Sequence, residues 1–149
     1  MSPFLTYILL TLLLVGVCLF AVWRGGPAER AGAVVVLVMV IVERGLQAVM
    51  PQGWWVVLGL ACDALNALGL LAVTLRYASL WLGGAMLFYA AQFTLHSFYF
   101  VTGRKDSDWL HMAVTDVNFG GILVCLVVGT LLAWRARQHA AEAHNAPAP

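Results

Sequence analysis

Five apolar stretches, each long enough to cross a bilayer, take up most of this 149-residue chain. A transmembrane helix needs roughly 20 mostly apolar residues. Such stretches occupy residues 4–23, 31–50, 54–75, 78–101 and 109–134. Because 62% of the residues are hydrophobic and only 10% are charged, the chain cannot form an ordinary soluble surface. The sequence therefore predicts an all-α integral membrane protein, with residues 1–137 folded as one bundle of five transmembrane helices.

Tryptophan and basic residues indicate where the helices end and how the chain is threaded. All six tryptophans fall at the ends of predicted spans, where indole rings concentrate at the level of the lipid headgroups. Five arginines lie on one side of the membrane, against Arg104 and Lys105 on the other: Arg24, Arg30, Arg76, Arg135 and Arg137. Because basic residues collect in cytoplasmic loops, we expect the N-terminus outside and the C-terminus inside.

The two ends of the chain carry different signals. The first span has no Lys or Arg before it and no Ala-x-Ala-like site after it, so we expect a retained helix rather than a cleaved signal peptide. Residues 138–149 are polar and contain Pro147 and Pro149. We therefore expect a disordered cytoplasmic tail there.

Ionisable side chains recur at a similar depth in four of the five spans. Glu43, Asp63, His96 and Asp116 lie about 8 to 14 Å below the outer boundary, counted at 1.5 Å per helical residue. Polar residues fall near the same layer: Arg44, Asn66, Gln92 and Asn118. An ionisable residue inside a membrane is costly and by default indicates a functional site. These eight residues are therefore predicted to form a buried polar cluster, and they are the candidates for a proton or ion site.

Small residues share helix faces with this cluster. On the third span Gly59 and Gly69 follow the helical spacing of Asp63 and Asn66, and on the last span Gly121, Cys125 and Gly129 continue the face of Asn118. Small residues let membrane helices approach closely. We expect these five small residues to serve helix packing. The three cysteines lie on separate spans without a C-x-x-C spacing and are also predicted to be packing residues.

The polar cluster has two interpretations that the sequence leaves open. In the first, it joins the helices, with Arg44 pairing with Asp63 or Asp116. In the second, it handles a proton or a cation. If its three carboxyl groups are all ionised, Arg44 leaves two negative charges uncompensated, and a retained proton, a cationic His96 or a bound cation would remove that excess.

Cofactor and catalytic motifs give little support to other functions. His96 and His111 lie on consecutive helices and could bracket a haem iron, but there is no C-x-x-C-H for covalent attachment. The sequence contains no H-E-x-x-H, G-x-S-x-G or Gly-rich phosphate loop. We predict no catalytic residues, no other metal ligands and no nucleic-acid partner; the cofactors left open are haem and a bound cation.

Several short motifs resemble a known group of proteins. They are RGGPAER at residues 24–30, Asp63 in a Leu/Ala-rich span, Leu75-Arg76 before Leu80-Trp81, His96, and Gly129-Thr130. The chain is similar in these motifs to small multi-pass inner-membrane proteins of alphaproteobacteria. It departs from them at Glu43-Arg44 and in the charged loop at residues 104–108. The resemblance implies a bacterial inner membrane and a multi-pass topology, and it implies no activity.

Two hypotheses for function follow from these patterns. The first is a structural or accessory subunit of a larger inner-membrane complex, because the polar and small helix faces suit other membrane subunits or a second copy of the chain. The second is a proton- or cation-handling transport protein that uses Glu43, Asp63, His96 and Asp116.

The predicted topology can be tested with reporter fusions. A reporter fused after Arg76 should lie in the cytoplasm, and one fused after Lys105 should lie in the periplasm, because the span between them crosses the membrane once. Alkaline phosphatase and green fluorescent protein distinguish the two compartments. Two fusions that report the same compartment would contradict the five-span arrangement.

Overall fold

The fold is a bundle of five long α-helices. A computed structural model describes residues 3–104 and 108–145, with side chains at 8–51, 53–104 and 108–142. Within that part of the chain the helices are α1 (Pro3–Arg24), α2 (Pro27–Val49), α3 (Trp55–Tyr77), α4 (Leu80–Thr102) and α5 (Trp109–Asn145), and a 3-10 turn at Gln52–Trp54 precedes α3. The predicted all-helical fold with five helices is confirmed.

The last helix is much longer than its predicted span. α5 has 37 residues and runs without interruption to Asn145. Residues 138–145 are thus helical, where the sequence predicts a disordered tail, while residues 146–149 lie outside the described part of the chain. The difference has a physical reason, since this segment is rich in alanine, the residue with the highest helix propensity. His139 and Glu142, spaced i,i+3, add an exposed ion pair of 3.5 Å.

Three of the helices are long and apolar enough to cross a membrane. They comprise Pro27–Val49, Trp55–Tyr77 and Trp109–Glu142, and the described apolar part of α1, Ile8–Arg24, is shorter. The outer surface of the bundle is also apolar; Leu80 is 97% exposed and Val101 is 82% exposed. Soluble monomers rarely expose so much contiguous apolar surface. These are the features of a membrane protein.

Consecutive helices pack side by side, and α5 returns to pack against α1, which closes the bundle into a ring. The links are short, which is typical of antiparallel neighbours. We call the end at which α2 meets α3 and α4 meets α5 the Trp109 end. The opposite end, where α1 meets α2 and α3 meets α4, is the Trp134 end. Gly103 ends α4 with a φ of 62°, a left-handed conformation that glycine adopts without strain.

A buried carboxylate connects two helices at the Trp134 end. Glu29 is only 5% exposed. Its Oε2 accepts a hydrogen bond of 2.9 Å from the backbone N–H of Gly26, and its Oε1 accepts one of 2.9 Å from Trp81 Nε1. The Trp81 ring packs against Gly32 on α2 and Gly129 on α5, where a larger side chain would collide with it. Glu29 therefore connects the α1–α2 turn to the start of α4.

The half of the bundle nearer the Trp134 end is closely packed. Leu14, Leu70, Leu82 and Leu126, on four different helices, are each 1% exposed or less. Together with Trp81 they belong to a single apolar core. This core closes the bundle below the polar residues of the other half.

Candidate functional site

A cavity of about 290 Å³ lies in the centre of the ring, in the half nearer the Trp109 end. All five helices contribute to its wall. Seven of the eight predicted site residues line it: Glu43, Arg44, Asp63, Asn66, Gln92, His96 and Asn118. The deep end of the cavity is apolar, with Leu14 and Val36 at the boundary to the packed core. The polar side chains therefore line a cavity and do not close it by packing against one another.

Asp63 and His96 form a hydrogen-bonded pair across α3 and α4. The distance from His96 Nδ1 to Asp63 Oδ2 is 2.5 Å, and the two side chains are 13% and 12% exposed. Gly59, one turn before Asp63, makes room for the imidazole, since a Cβ at this position would lie 3.2 Å from His96 Cε1. The glycine face of α3 thus brings His96 within reach of the carboxylate.

Gln92 connects this pair to α5. Its Nε2 lies 3.3 Å from His96 Nε2 and donates a hydrogen bond of 3.1 Å to Thr115 Oγ1. Its Oε1 accepts a hydrogen bond of 2.9 Å from Asn118 Nδ2. Gln92 and Asn118 are 7% and 5% exposed. The hydrogen-bond network thus runs continuously from α3 through α4 to α5.

The network also identifies the hydrogen-bearing nitrogen of His96. The amide nitrogen of Gln92 can only donate, so His96 Nε2 accepts, and a neutral imidazole then carries its hydrogen on Nδ1. That hydrogen points at Asp63 Oδ2. In this arrangement His96 is neutral and donates to an ionised Asp63.

Asn66 places a polar atom at the cavity without a partner in the described part of the chain. The residue is 4% exposed, and it lies on the same face of α3 as Asp63, three residues later. Its Oδ1 is fully buried and has no hydrogen-bond partner among the described residues. Because a buried unsatisfied acceptor is costly, this oxygen is available to accept a hydrogen bond from a donor in the cavity.

A second chain of polar groups runs along α2 toward the Trp109 end. Glu43 Oε1 accepts a hydrogen bond of 3.0 Å from Gln47 Nε2, and Gln47 Oε1 accepts one of 2.9 Å from Arg44 Nη1. Arg44 is exposed, whereas Glu43 is half-buried. The sequence predicts that Arg44 pairs with Asp63 or Asp116. In the structure Asp63 pairs with His96 instead, and Arg44 donates a hydrogen bond to Gln47.

The two histidines near the cavity do not suit a haem. The rings of His96 and His111 face each other with centroids 5.2 Å apart and a tilt of 37°. Two axial imidazoles must lie on opposite faces of the macrocycle, and no such space separates these rings. Within the described residues, no group of three or more His, Cys, Asp or Glu side chains is placed to hold a metal ion.

Asp116 lies outside the cluster. It is exposed on α5, whereas Asn118 is buried, and its neighbours Met112 and Val117 are 51% and 67% exposed. The sequence predicts Asp116 in the buried layer from its depth alone. Residues two positions apart on a helix point about 200° apart, so Asp116 and Asn118 face opposite directions.

The predicted packing residues lie at helix contacts. A Cβ added at Gly69 would lie 2.7 Å from Val35 Cγ1, and one added at Gly121 would collide with the Phe88 ring. The Sγ of Cys125 lies 2.9 Å from the position of a Cβ at Gly84.

The sequence did not predict the side-chain hydrogen bonds of two polar residues, Gln47 and Glu29. Gln47 lies four residues after Glu43, so the i,i+4 spacing of side chains that meet on a helix was the available signal. Glu29 is the third residue of α2, which begins at Pro27. A glutamate at this position commonly accepts a hydrogen bond from the backbone at the start of the helix. That signal predicts a helix start but not the contact to Trp81.

No protein family, no curated protein and no solved structure matches this chain.

Replacing Gln92 with Leu tests the network. Leu has a similar size but leaves His96, Thr115 and Asn118 without their partner, and each unsatisfied buried group costs about 1–3 kcal/mol. We expect the free energy of unfolding in detergent to fall by about 2–4 kcal/mol, measured by denaturant titration. The ¹⁵N resonances of His96 should show hydrogen on Nδ1 in the parent protein, and this preference should weaken in the variant.

Thr94→Val is the matched control, because the Thr94 hydroxyl is exposed and donates within its own helix to the Ala90 carbonyl. It should change neither the stability nor the His96 resonances. A parent protein with hydrogen on His96 Nε2 would contradict the assigned network.

Proposed function

We propose that this chain is a multi-pass protein of a bacterial inner membrane that takes up and releases a proton at the Asp63–His96 pair. In this proposal all five helices cross the membrane, the Trp109 end faces the periplasm, and the C-terminus lies in the cytoplasm. The positive-inside rule supports the orientation, because the arginines gather at the Trp134 end. The short motifs shared with alphaproteobacterial inner-membrane proteins support the location.

The observation that carries the proposal is a hydrogen-bonded carboxylate–imidazole pair beside an open cavity. Polar residues that only join helices are expected to pack closely, as protein interiors do. Here the 2.5 Å Asp63–His96 pair lines a space of about 290 Å³, whereas one water needs only about 10–15 Å³ of such volume. Water within the cavity would exchange protons with the pair. Histidine is the side chain that titrates near neutral pH.

Uptake of a proton has a defined structural consequence in this network. The free lone pair of neutral His96 is on Nε2, which faces the amide nitrogen of Gln92. After protonation Nε2 donates, so the Gln92 amide must rotate to present its oxygen. Asn118 now donates to that same oxygen, so its amide must rotate as well. The two protonation states therefore correspond to two hydrogen-bond arrangements spanning α4 and α5.

The geometry supports proton access from the Trp109 end. Glu43, Gln47 and Arg44 form a polar route from the cavity to the exposed surface of α2. On the other side of the cavity, Leu14 and Val36 are 1% and 2% exposed and belong to the packed core. Release to the cytoplasm would require a second conformation in which this core opens.

Proton uptake can be measured on purified protein in detergent. We expect the parent to take up about one proton per chain at this pair on acidification, since coupled groups titrate as a unit. In pH-difference infrared spectra, this uptake should appear as carboxylate and imidazole bands. Asp63→Asn should abolish these bands. Asp116→Asn, which removes an exposed acid at a similar depth, should retain them. Identical spectra for Asp63→Asn and the parent would contradict the proposal.

A role as a structural or accessory subunit is the second proposal, and the position of Asp116 favours it. This carboxylate is exposed on α5 among apolar side chains such as Met112 and Val117. Lipid cannot satisfy a carboxylate, whereas a neighbouring membrane subunit or a second copy of the chain can supply donors.

Purification in mild detergent tests this second proposal. We expect a stoichiometric membrane partner, or a second copy, to co-purify with the parent and with Asp63→Asn, and to be lost from Asp116→Asn. Size-exclusion chromatography with mass determination gives the stoichiometry. Equal retention of the partner by both variants, or a monomeric parent, would contradict a role for this face.

A further inference from the structure

The hydrogen-bond acceptors that line the cavity favour a positively charged ligand. Asp63 and Asn66 lie three residues apart on one face of α3, and Glu43 faces the same cavity from α2. Asp63 uses Oδ2 for His96, and Asn66 Oδ1 is buried without a partner in the described part of the chain. Two carboxylates and one amide oxygen suit a compact, donor-rich cation.

The remainder of the wall favours an organic cation over a metal ion. Trp55 and Tyr89 line the cavity, and aromatic faces attract ammonium groups. The deep end is apolar, with Leu14, Val36 and Ile122. A hydrated metal ion gains nothing from this apolar end, whereas a short alkyl chain fits it. The volume of about 290 Å³ is at the lower limit of small-molecule sites.

We propose that the cavity binds a primary ammonium ion with a short apolar chain, in exchange for the proton of the Asp63–His96 pair. This inference rests on the proposed proton uptake. The ammonium group donates to Asp63 and Asn66, and its chain occupies the apolar end.

The exchange balances as one cation for one proton. The protonated pair consists of an Asp63 carboxylate and a His96 imidazolium, and this imidazolium repels an incoming ammonium ion. When the ammonium ion binds, the N–H bond at His96 Nε2 breaks, its electron pair stays on the nitrogen, and the proton passes to water at the Trp109 end. Gln92 Nε2 then donates to His96 Nε2, as in the present arrangement.

Other titratable groups lie around the pair. Arg44 follows Glu43 on α2 and carries the opposite charge. Cys62 on α3 and Tyr89 on α4 are neutral below about pH 8. His111 on α5 lies 5.2 Å from His96, so the charge of one imidazolium opposes a second beside it. α1 contributes Leu14 to the cavity.

The test uses the full chain in detergent and n-butylammonium chloride, with methylammonium chloride and butan-1-ol as comparison ligands. Calorimetry at pH 7.5 should show saturable binding of n-butylammonium, weaker binding of methylammonium, and no binding of butan-1-ol. A pH indicator in weak buffer should report up to one proton released per ion bound. At low pH the dissociation constant should rise about tenfold per pH unit, the limit for competition with one proton.

Two variants separate this inference from the proposed function. Asn66→Leu should weaken n-butylammonium binding at least tenfold while it retains the Asp63-dependent infrared bands, which also show that the variant is folded. Asp116→Asn should bind as the parent does. If the parent titrates through Asp63 but fails to bind n-butylammonium, or binds it equally well in Asn66→Leu, the ammonium site is refuted and proton uptake stands.

If the parent protein shows no Asp63-dependent titration, both the proton uptake and the ammonium site are refuted. Equal binding of butan-1-ol, or a dissociation constant for n-butylammonium that does not change with pH, would also overturn the exchange. The first result would show an apolar pocket without charge selection, and the second would show that the cation and the proton occupy separate sites.

Discussion

A carboxylate enclosed by apolar helices must find its hydrogen-bond donors within the protein, and this constraint organises both halves of the bundle. Glu29 and Asp63 meet it in different ways. Glu29 has a donor on each oxygen, from Gly26 and Trp81, both at 2.9 Å. Asp63 has one close donor, His96, and an open cavity beside it. The first arrangement is fully satisfied and holds helices together. The second leaves room for a proton or a cation to complete it.

Small residues decide which half is closed and which is open. At the Trp134 end Gly32 and Gly129 admit the large Trp81 ring, which fills the space between α2, α4 and α5. At the other end Gly59 admits only the imidazole of His96, and this ring fills less of the space between α3 and α4. The difference in side-chain volume at these positions leaves the cavity near the Trp109 end. It also puts a closely packed core beneath the Asp63–His96 pair.

The sequence was a good guide to position along each helix and a poor guide to rotation about its axis. Apolar length and tryptophan placement located all five helices, and depth counting brought together Glu43, Asp63 and His96. Depth contains no information about which way a side chain faces, so Asp116 was grouped with residues on the opposite side of α5. The partner of Asp63 was missed for the same reason. Arg44 carries the expected charge at the right depth, but His96 faces Asp63 across the gap that Gly59 leaves.

The hydrogen-bond network gives the site a means of coupling chemistry to conformation. Asp63 is on α3, Gln92 and His96 are on α4, and Thr115 and Asn118 are on α5, so a proton added at one imidazole changes donors and acceptors across three helices. Each rotated amide must find new partners, and a buried group that fails to do so costs about 1–3 kcal/mol. Such a penalty is large enough to shift a two-state equilibrium roughly five- to 150-fold. In the proposed function, protonation of His96 would therefore bias how α4 packs against α5. The core around Trp81 packs these helices closely at the Trp134 end, so the proposed rearrangement would fall at the Trp109 end, where the cavity lies.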